Sequence, residues 1–441
     1  MSIVKSNALF DGSSHSGRGQ FPGLSDITGA DGSYLKLADG NQISDFWLGH
    51  FASLLGHNYP DIKQALQTQL DSGVFDQIGV PLELEHGLAN LLRQLTGFNG
   101  VRFTTSGSVS TDYAIRIAQT VTGRAIVLKG RGGWHGGNLL SIKGVRYPEG
   151  TAVDLYEQPQ ITSHLAEQIV LFDYNDEQQL ADLFHRYGSQ IAGMIVEPVV
   201  GNCGMYPVSE AFIRTARRLC DHSGALLIAD EIVTGFRRYP GLYLQYHFDV
   251  KPDIAVIGKA FGGGLPIAAL LSDVELMKQA KHAQCFFEGG TYSAHPLCLA
   301  GAHAFCRLCL GDLGDPIFQR IHQQLQLTWA LIDRHLGKWE SYIHIPQSRD
   351  RQFPIISIRL VKPTATRVPD RVLDHWDAQL VDAPTRDQQG RQFMLERGVL
   401  PWQLLGCISP SHSASQIEEL VIGCRDFIEC FAMQNLAGTR P

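Results

Sequence analysis

Five apolar runs set the terms on which this chain can fold. They are Ala125–Leu128, Ile191–Val196, Ala225–Ala229, Ile254–Ile257 and Ile267–Leu271. A strand with one wet face alternates apolar and polar side chains; these runs are apolar throughout, as strands covered on both faces must be. Helical patterns stand beside them. Leu88, Leu91, Leu92 and Leu95 recur on one helical face, and Ala114, Ile117, Ala118 and Val121 on another that Gly123 is placed to end. Ser209 is placed to cap a helix carrying Phe212, Ala216 and Leu219, with Gly224 just past its end. Strand and helix in alternation predict an α/β fold with a mainly parallel central sheet.

The flanks read differently. Gly, Ser and Asp dominate the first forty residues, an irregular arm with short strands. Tyr34–Leu37 and Ile43–Phe46 bracket Asp39-Gly40 as a hairpin, and Ile62, Ala65, Leu66 and Leu70 predict a helix after Pro60. Beyond residue 315 come an amphipathic helix (Ile321–Leu336), a strand (Ile355–Ile358) and a helix (Ile417–Phe431); the polar stretch 361–390 has no assignment. At 441 residues the chain exceeds one ordinary core. The expected division is 1–60 as arm and part of a small domain, 61–315 as a large domain, and 316–441 as the rest of a smaller α+β domain.

Hydrophobic residues at 44% and charged residues at 18% describe a packed globule. A formal net charge of -7 argues against a nucleic-acid or anionic-membrane surface. Met1–Asn7 lacks the apolar core of a signal peptide, and no apolar run reaches the ~18 residues that span a bilayer, so a cytoplasmic protein is expected. Nine scattered cysteines fit reduced thiols. Cys306 and Cys309 have the spacing of a metal or redox half-site, but no second pair follows and the context is helical. They read as core thiols, and no metal site is expected.

In open α/β sheets the working residues gather at the carboxyl ends of the strands. Asp230 ends one apolar run and Lys259 follows another, crowded by Gly258, Gly262, Gly263 and Gly264. A buried carboxylate needs a partner, either a protonated pyridine nitrogen or a structural hydrogen-bond cluster. A buried lysine must lose its charge or find an acid, unless an imine removes the difficulty. Ser106, Gly107 and Ser108 stand where a helix N-terminus could hold a phosphate, or be an ordinary N-cap. Trp134, among glycines, could stack on a flat cofactor or be a buried structural residue. His135 could shuttle protons or simply pack. Taken jointly, the order of these residues suits an enzyme of pyridoxal 5′-phosphate, with Lys259 binding the cofactor and Asp230 keeping its ring nitrogen protonated.

The same residues resemble the class III pyridoxal-phosphate aminotransferases of fold type I, and within them the glutamate-1-semialdehyde aminomutases. The likeness runs from about Tyr34 to Gly301. It rests on Ser106-Gly107-Ser108, Trp134-His135-Gly136, Glu197-Pro198-Val199-Val200-Gly201-Asn202, Asp230 through Arg237, Gly258-Lys259, and Gly290-Thr291-Tyr292-Ser293. The resemblance implies that Gly107 and Ser108 hold the phosphate and that Trp134 and Ile232 cover the two ring faces. It further implies that Asn202 reaches the ring hydroxyl, Asp230 the ring nitrogen, and that Lys259 is the Schiff-base lysine. Thr291 would bind the phosphate of a neighbouring subunit's cofactor, implying a homodimer with shared active sites. Arg18 and Glu197 are the substrate-side candidates. The chain departs from the family pattern at Val109, where an acid is usual, and across Pro401–His412, which carries none.

The implied activity is transfer of an amino group from an amine or amino acid to a carbonyl acceptor. The alternatives are an aminomutase or other isomerase on the same scaffold, and a non-catalytic relative. Substrate selectivity is expected in the arm before residue 60, the loop 137–165 and the C-terminal lobe, with Trp402 and Leu405 hinting at an apolar acceptor.

Overall fold

A computed structural model describes residues 24, 26–138, 143–144, 167–312, 314–348, 350–362, 365 and 380–438. Arg18 and most of the loop 137–165 lie outside the described residues.

Three short strands, β1 (Ile27–Asp31), β2 (Tyr34–Leu37) and β3 (Gln42–Asp45), form an antiparallel meander, with the Asp39-Gly40 hairpin where the sequence places it. The central sheet comprises β4 (Gly100–Thr104), β5 (Ile126–Gly130), β6 (Ile169–Phe172) and β7 (Ile191–Val196). After the small antiparallel ribbon β8 (Val199–Val200) and β9 (Tyr206–Pro207), it is completed by β10 (Leu226–Glu231), β11 (Ile254–Ile257) and β12 (Ala268–Ser272). The spatial order is β4-β12-β11-β10-β7-β5-β6.

Burial explains the uninterrupted apolar runs. On β10 and β11, Leu227, Ala229, Ala255 and Ile257 enter one core with Phe212, Ile213 and Phe236. Their neighbours Ile228, Ile254 and Val256 enter the core on the other face, under Ala114, Ile117 and Ala118 of the helix Gly107–Thr122. Side chains alternate between faces, so both faces must be apolar. The strand β12 runs antiparallel to both neighbours. Only Gly258–Ile267 separates it from β11, too short a connection for the crossover that a parallel strand needs.

The helix Glu210–Ser223 has the predicted ends: Ser209 Oγ accepts from Phe212 N, and Gly224 adopts φ 69°. Cys306 and Cys309 are buried in the helix Pro296–Leu310, as core thiols.

The C-terminal lobe has its own core of Leu325, Trp329, Ile332, Leu420 and Phe427, which Phe46 enters from the N-terminal segment. The expected strand Ile355–Ile358 is cut short to Ile355–Ile356, and another strand begins only at Arg359. In chain order, β13 (Ile343–His344) pairs with β15 (Arg359–Leu360), while β14 (Ile355–Ile356) pairs with β17 (Gly406–Cys407). The chain changes partner at Ser357, whose Oγ donates to Gly204 O at 2.7 Å. The strand β16 (Val399–Leu400) joins β3 in parallel.

Candidate active site

The carboxyl ends of β4, β5, β7, β10 and β11 carry or lead into Ser106, Trp134 with His135, Glu197, Asp230 and Lys259 respectively. Register fixes the closest pair: Asp230 lies opposite Val256 and Glu231 opposite Ile257, so Asp230 and Lys259 leave adjacent parallel strands at the same edge.

Asp230 is buried and bonded. Its Oδ2 meets His135 Nδ1 at 2.7 Å, and its Oδ1 accepts from Ile232 N at 3.1 Å. His135 Nε2 is buried without a hydrogen-bond partner among the described residues. The neighbouring Glu231 points away from the site. It accepts from Thr234 Oγ1 (2.5 Å), Tyr243 N (3.0 Å) and Leu244 N (2.7 Å), closing the turn after β10. Burial nevertheless pushes its carboxyl up to about 7.

Lys259 contrasts with Asp230. Its amine has no hydrogen-bond or ion-pair partner among the described residues. Burial draws its pKa below the ordinary lysine value, an effect that Asp230 and Glu197 oppose and Arg237 reinforces. Its backbone is left-handed, at φ 47°. A non-glycine residue held there costs roughly 1–2 kcal/mol, and such strain gathers at functional sites.

The walls are set by close approaches. A Cβ on Gly107 would lie 2.7 Å from Ile232 Cδ1, so only glycine lets the first turn of the helix Gly107–Thr122 touch that side chain. A Cβ on Gly136 would lie 2.3 Å from Ser108 Oγ, and φ 100° there also demands glycine. Gly137 N donates to Ser108 Oγ at 3.3 Å, docking the loop after β5 onto the helix start. Gly107 and Ser108 thus form the first turn of the helix rather than preceding it. Ser106 occupies the N-cap position, but its hydroxyl caps no amide, and the first turn holds no acid. That leaves the positive end of the helix available to an anion.

Trp134 is 42% exposed, not buried as a structural tryptophan would be. Asn202, on the turn between β8 and β9, approaches Gly132 O at 3.5 Å. Glu197 is buried with both oxygens on backbone amides, Trp134 N at 2.8 Å and Gly201 N at 2.9 Å. Both oxygens are thus engaged by the loops after β5 and β8. Thr291 is exposed, its carbonyl accepting from Gln77 Nε2 at 2.5 Å. Trp402 and Leu405 are buried rather than presented to a substrate; Trp402 meets Phe51 edge-on at 5.0 Å.

Two features escape a reading of the sequence. One is a left-handed stretch, Leu48, Gly49, His50 and Phe51, at φ 49°, 59°, 54° and 72°. Asp45 Oδ1 holds its entry through Trp47 N (2.8 Å) and Leu48 N (2.9 Å), and Arg237 donates to its Phe51 O. The fully buried Arg237 also reaches Val233 O at 2.9 Å and Cys407 Sγ at 3.2 Å, tying the turn after β10 to both flanking segments. The other is Lys129, a charged residue at the end of an apolar run. That position was the available signal. Among the described residues, no group of three or more His, Cys, Asp or Glu could hold a metal ion, and no single helix is long and apolar enough to cross a membrane.

An unpartnered lysine beside an acid, at the carboxyl edge of a mainly parallel sheet with a smaller lobe against it, makes this a fold-type-I scaffold. The family narrows further, since the model described as Aminotransferase class-III matches residues 16–326, and the chain belongs to that family. It is 34% identical over 280 residues to a glutamate-1-semialdehyde 2,1-aminomutase of Thermoplasma acidophilum, covering 63% of this chain and 65% of that protein. It is 37% identical over 281 residues to glutamate-1-semialdehyde 2,1-aminomutase 2 of Lysinibacillus sphaericus, covering 63% of this chain and 64% of that one. The chain thus matches somewhat under two thirds of the length of these relatives. An omega-transaminase from Sphaerobacter thermophilus shares the fold at TM-score 0.80 and 23% identity, over 96% of this chain and 94% of its own. Pyridoxal 5′-phosphate fits the residues present: an unpartnered amine, an acid, an uncapped helix start and an exposed indole.

Proposed function

We propose that this protein is a pyridoxal-phosphate aminotransferase that moves an amino group from an amine or amino acid to a carbonyl acceptor. The observation that carries this reading is Lys259, strained and without a partner among the described residues, in the turn just after the strand next to that of Asp230. The cofactor, when bound, supplies the electron sink that makes a substrate C–H acidic. The protein's own residues supply the rest. Gly107 and Ser108 hold the phosphate at the helix start, and Trp134 and Ile232 cover the ring faces. Asn202 binds the ring hydroxyl. Asp230, steadied by His135, keeps the ring nitrogen protonated. Lys259 would hold the cofactor, and its amine would carry the proton to and from the substrate carbon. A lowered pKa suits that base role. Arg18 stays a substrate-carboxylate candidate on resemblance alone.

Borohydride reduction followed by peptide mapping tests the anchor: cofactor mass on the Lys259 peptide is expected, and mass on any other lysine sinks the reading. The curated relatives favour a second reading, an aminomutase. Against it stands Pro401–His412, which lacks an acid. Turnover that needs a separate keto or aldehyde substrate separates the two.

We also infer a homodimer. Phe75, Ile78, Val80, Phe286 and Tyr292 are exposed on two segments that Gln77 ties together through Thr291 O and Ser293 O. A second copy would cover this apolar surface and bring Thr291 to the partner's cofactor. Sedimentation of Phe286→Asp should show monomers where the parent chain shows dimers. We keep the division at residues 60 and 315 on the separate lobe core, and a cytoplasmic location on nine free thiols.

A further inference from the structure

Resting on the cofactor reading, we propose that Lys129 and Glu197 are paired positioning residues. They clamp the single peptide group between Gly133 and Trp134 and so aim the side chains of Trp134 and His135.

The two contacts fall on opposite ends of one amide. Lys129 Nζ donates to Gly133 O at 2.8 Å, and Trp134 N donates to Glu197 Oε1 at 2.8 Å. A cation sits on the carbonyl and an anion on the N–H, so each charge matches the partial charge it meets, and both hydrogen bonds are charge-assisted. Both side chains are buried, at 1% and 4% exposure. Neither charge could remain there on one contact. Lys129 adds Lys143 O at 2.8 Å and Gly130 O at 3.4 Å, and Glu197 adds Gly201 N at 2.9 Å.

The two residues beyond the clamped amide give it a purpose. Trp134 is 42% exposed, so little core packing fixes its ring. Its direction must come from the backbone. One residue later, His135 meets Asp230 at 2.7 Å, and its carbonyl takes Thr111 Oγ1 at 2.5 Å. A flip of the preceding peptide would exchange its C=O and N–H. The indole would then turn away from the ring face and pull on the imidazole. With Lys129 and Glu197 both charged, that flip would point carbonyl at carboxylate and amide at ammonium. Opposite charges on the two sides therefore make the orientation one-way.

The test uses the full chain as Lys129→Met, Glu197→Gln and the double variant, each with and without Trp134→Phe, so that the Trp134 signal is obtained by difference. In the apo protein, acrylamide quenching of Trp134 is expected to change in both single variants. Titrated with pyridoxal phosphate, each should bind at least about tenfold more weakly, the value of one charge-assisted hydrogen bond. The double variant should lose less than the product of the singles, because both act on one amide. Unchanged quenching and affinity in folded variants would overturn the clamp, as would a lower Tm with neither of them altered. Should Lys129→Met fail to fold, Glu197→Gln, which keeps an acceptor for Trp134 N, carries the test alone. Failure of the parent chain to bind the cofactor would refute the aminotransferase reading, while the apo quenching result still decides the clamp.

Discussion

Two strand ends of one sheet carry a lysine withdrawn from water, and they are built in opposite ways. Near the end of β5, Lys129 is surrounded by the carbonyls of Gly130, Gly133 and Lys143, with Glu197 completing the clamp. After β11, Lys259 has no partner among the described residues and sits in a left-handed backbone. Burial lowers the pKa of both, to about 8 for Lys129. A shifted pKa therefore does not tell a structural lysine from a reactive one. The partner inventory does: a lysine whose donors are spent on carbonyls is fixed in place, whereas one with none is free to bond to something that is not protein.

That contrast breaks most sharply on substitution. Lys259→Ala should abolish transamination and leave thermal stability unchanged or slightly higher, since a strained, unpartnered amine is removed. Lys129→Met should destabilise the fold by about 3 kcal/mol, because Glu197 is left buried without its opposing charge. Denaturant titration of the two variants beside a coupled transamination assay makes the comparison. Equal destabilisation by both, or residual turnover in Lys259→Ala, would erase the distinction.

Asp230 and Lys259 were legible because chemistry that needs a charge at a strand end leaves it next to an uninterrupted apolar run. Ser209 and Gly224 were legible because capping acts within one turn of chain. Lys129 stood in the same kind of place, yet nothing local shows that its partners are carbonyls of a loop that folds back over it. The left-handed turn from Leu48 to Phe51 was hidden for a similar reason. Its supports, Asp45 and Arg237, come from the hairpin and from a turn some 186 residues away. The strand expected over Ile355–Ile358 stops at Ile356, where Ser357 turns to Gly204 O, a tertiary contact that no pattern within the segment encodes.

A smaller effect comes from titration, and here a second buried group gives the opposite sign. Lys129 falls from 10.5 to about 8 on folding. Its contribution to stability is thus present at high pH and is lost as pH falls through about 8. Glu231 rises from 4.5 to about 7, so its contribution is full at low pH and is lost as pH rises through about 7. Each shift corresponds to roughly 3 kcal/mol over its window. Stability measured by denaturant against pH should therefore fall between about 4.5 and 7 and climb again above about 8. Lys129→Met should reduce the alkaline limb, leaving the part that Lys259 supplies, and Glu231→Gln should reduce the acid one. A Lys129→Met profile with an undiminished alkaline rise would assign it wholly to Lys259 and weaken the picture of a charged clamp.

The finest test removes one hydroxyl from the β5 side. Thr111 Oγ1 donates to His135 O at 2.5 Å and lies 3.1 Å from Ser108 O, while Asn138 Nδ2 approaches it at 3.3 Å. Thr111→Val keeps the shape and deletes the donor, leaving His135 O without that bond. The expected loss is about 1 kcal/mol, the ordinary worth of one buried hydrogen bond. Because the tie holds the loop and not the lysine, borohydride should still fix cofactor at Lys259 to the full extent, while cofactor release quickens. If Thr111→Val instead reduced trapping at Lys259 without faster release, the two strand ends would be mechanically one unit, and their independence, on which the comparison depends, would fail.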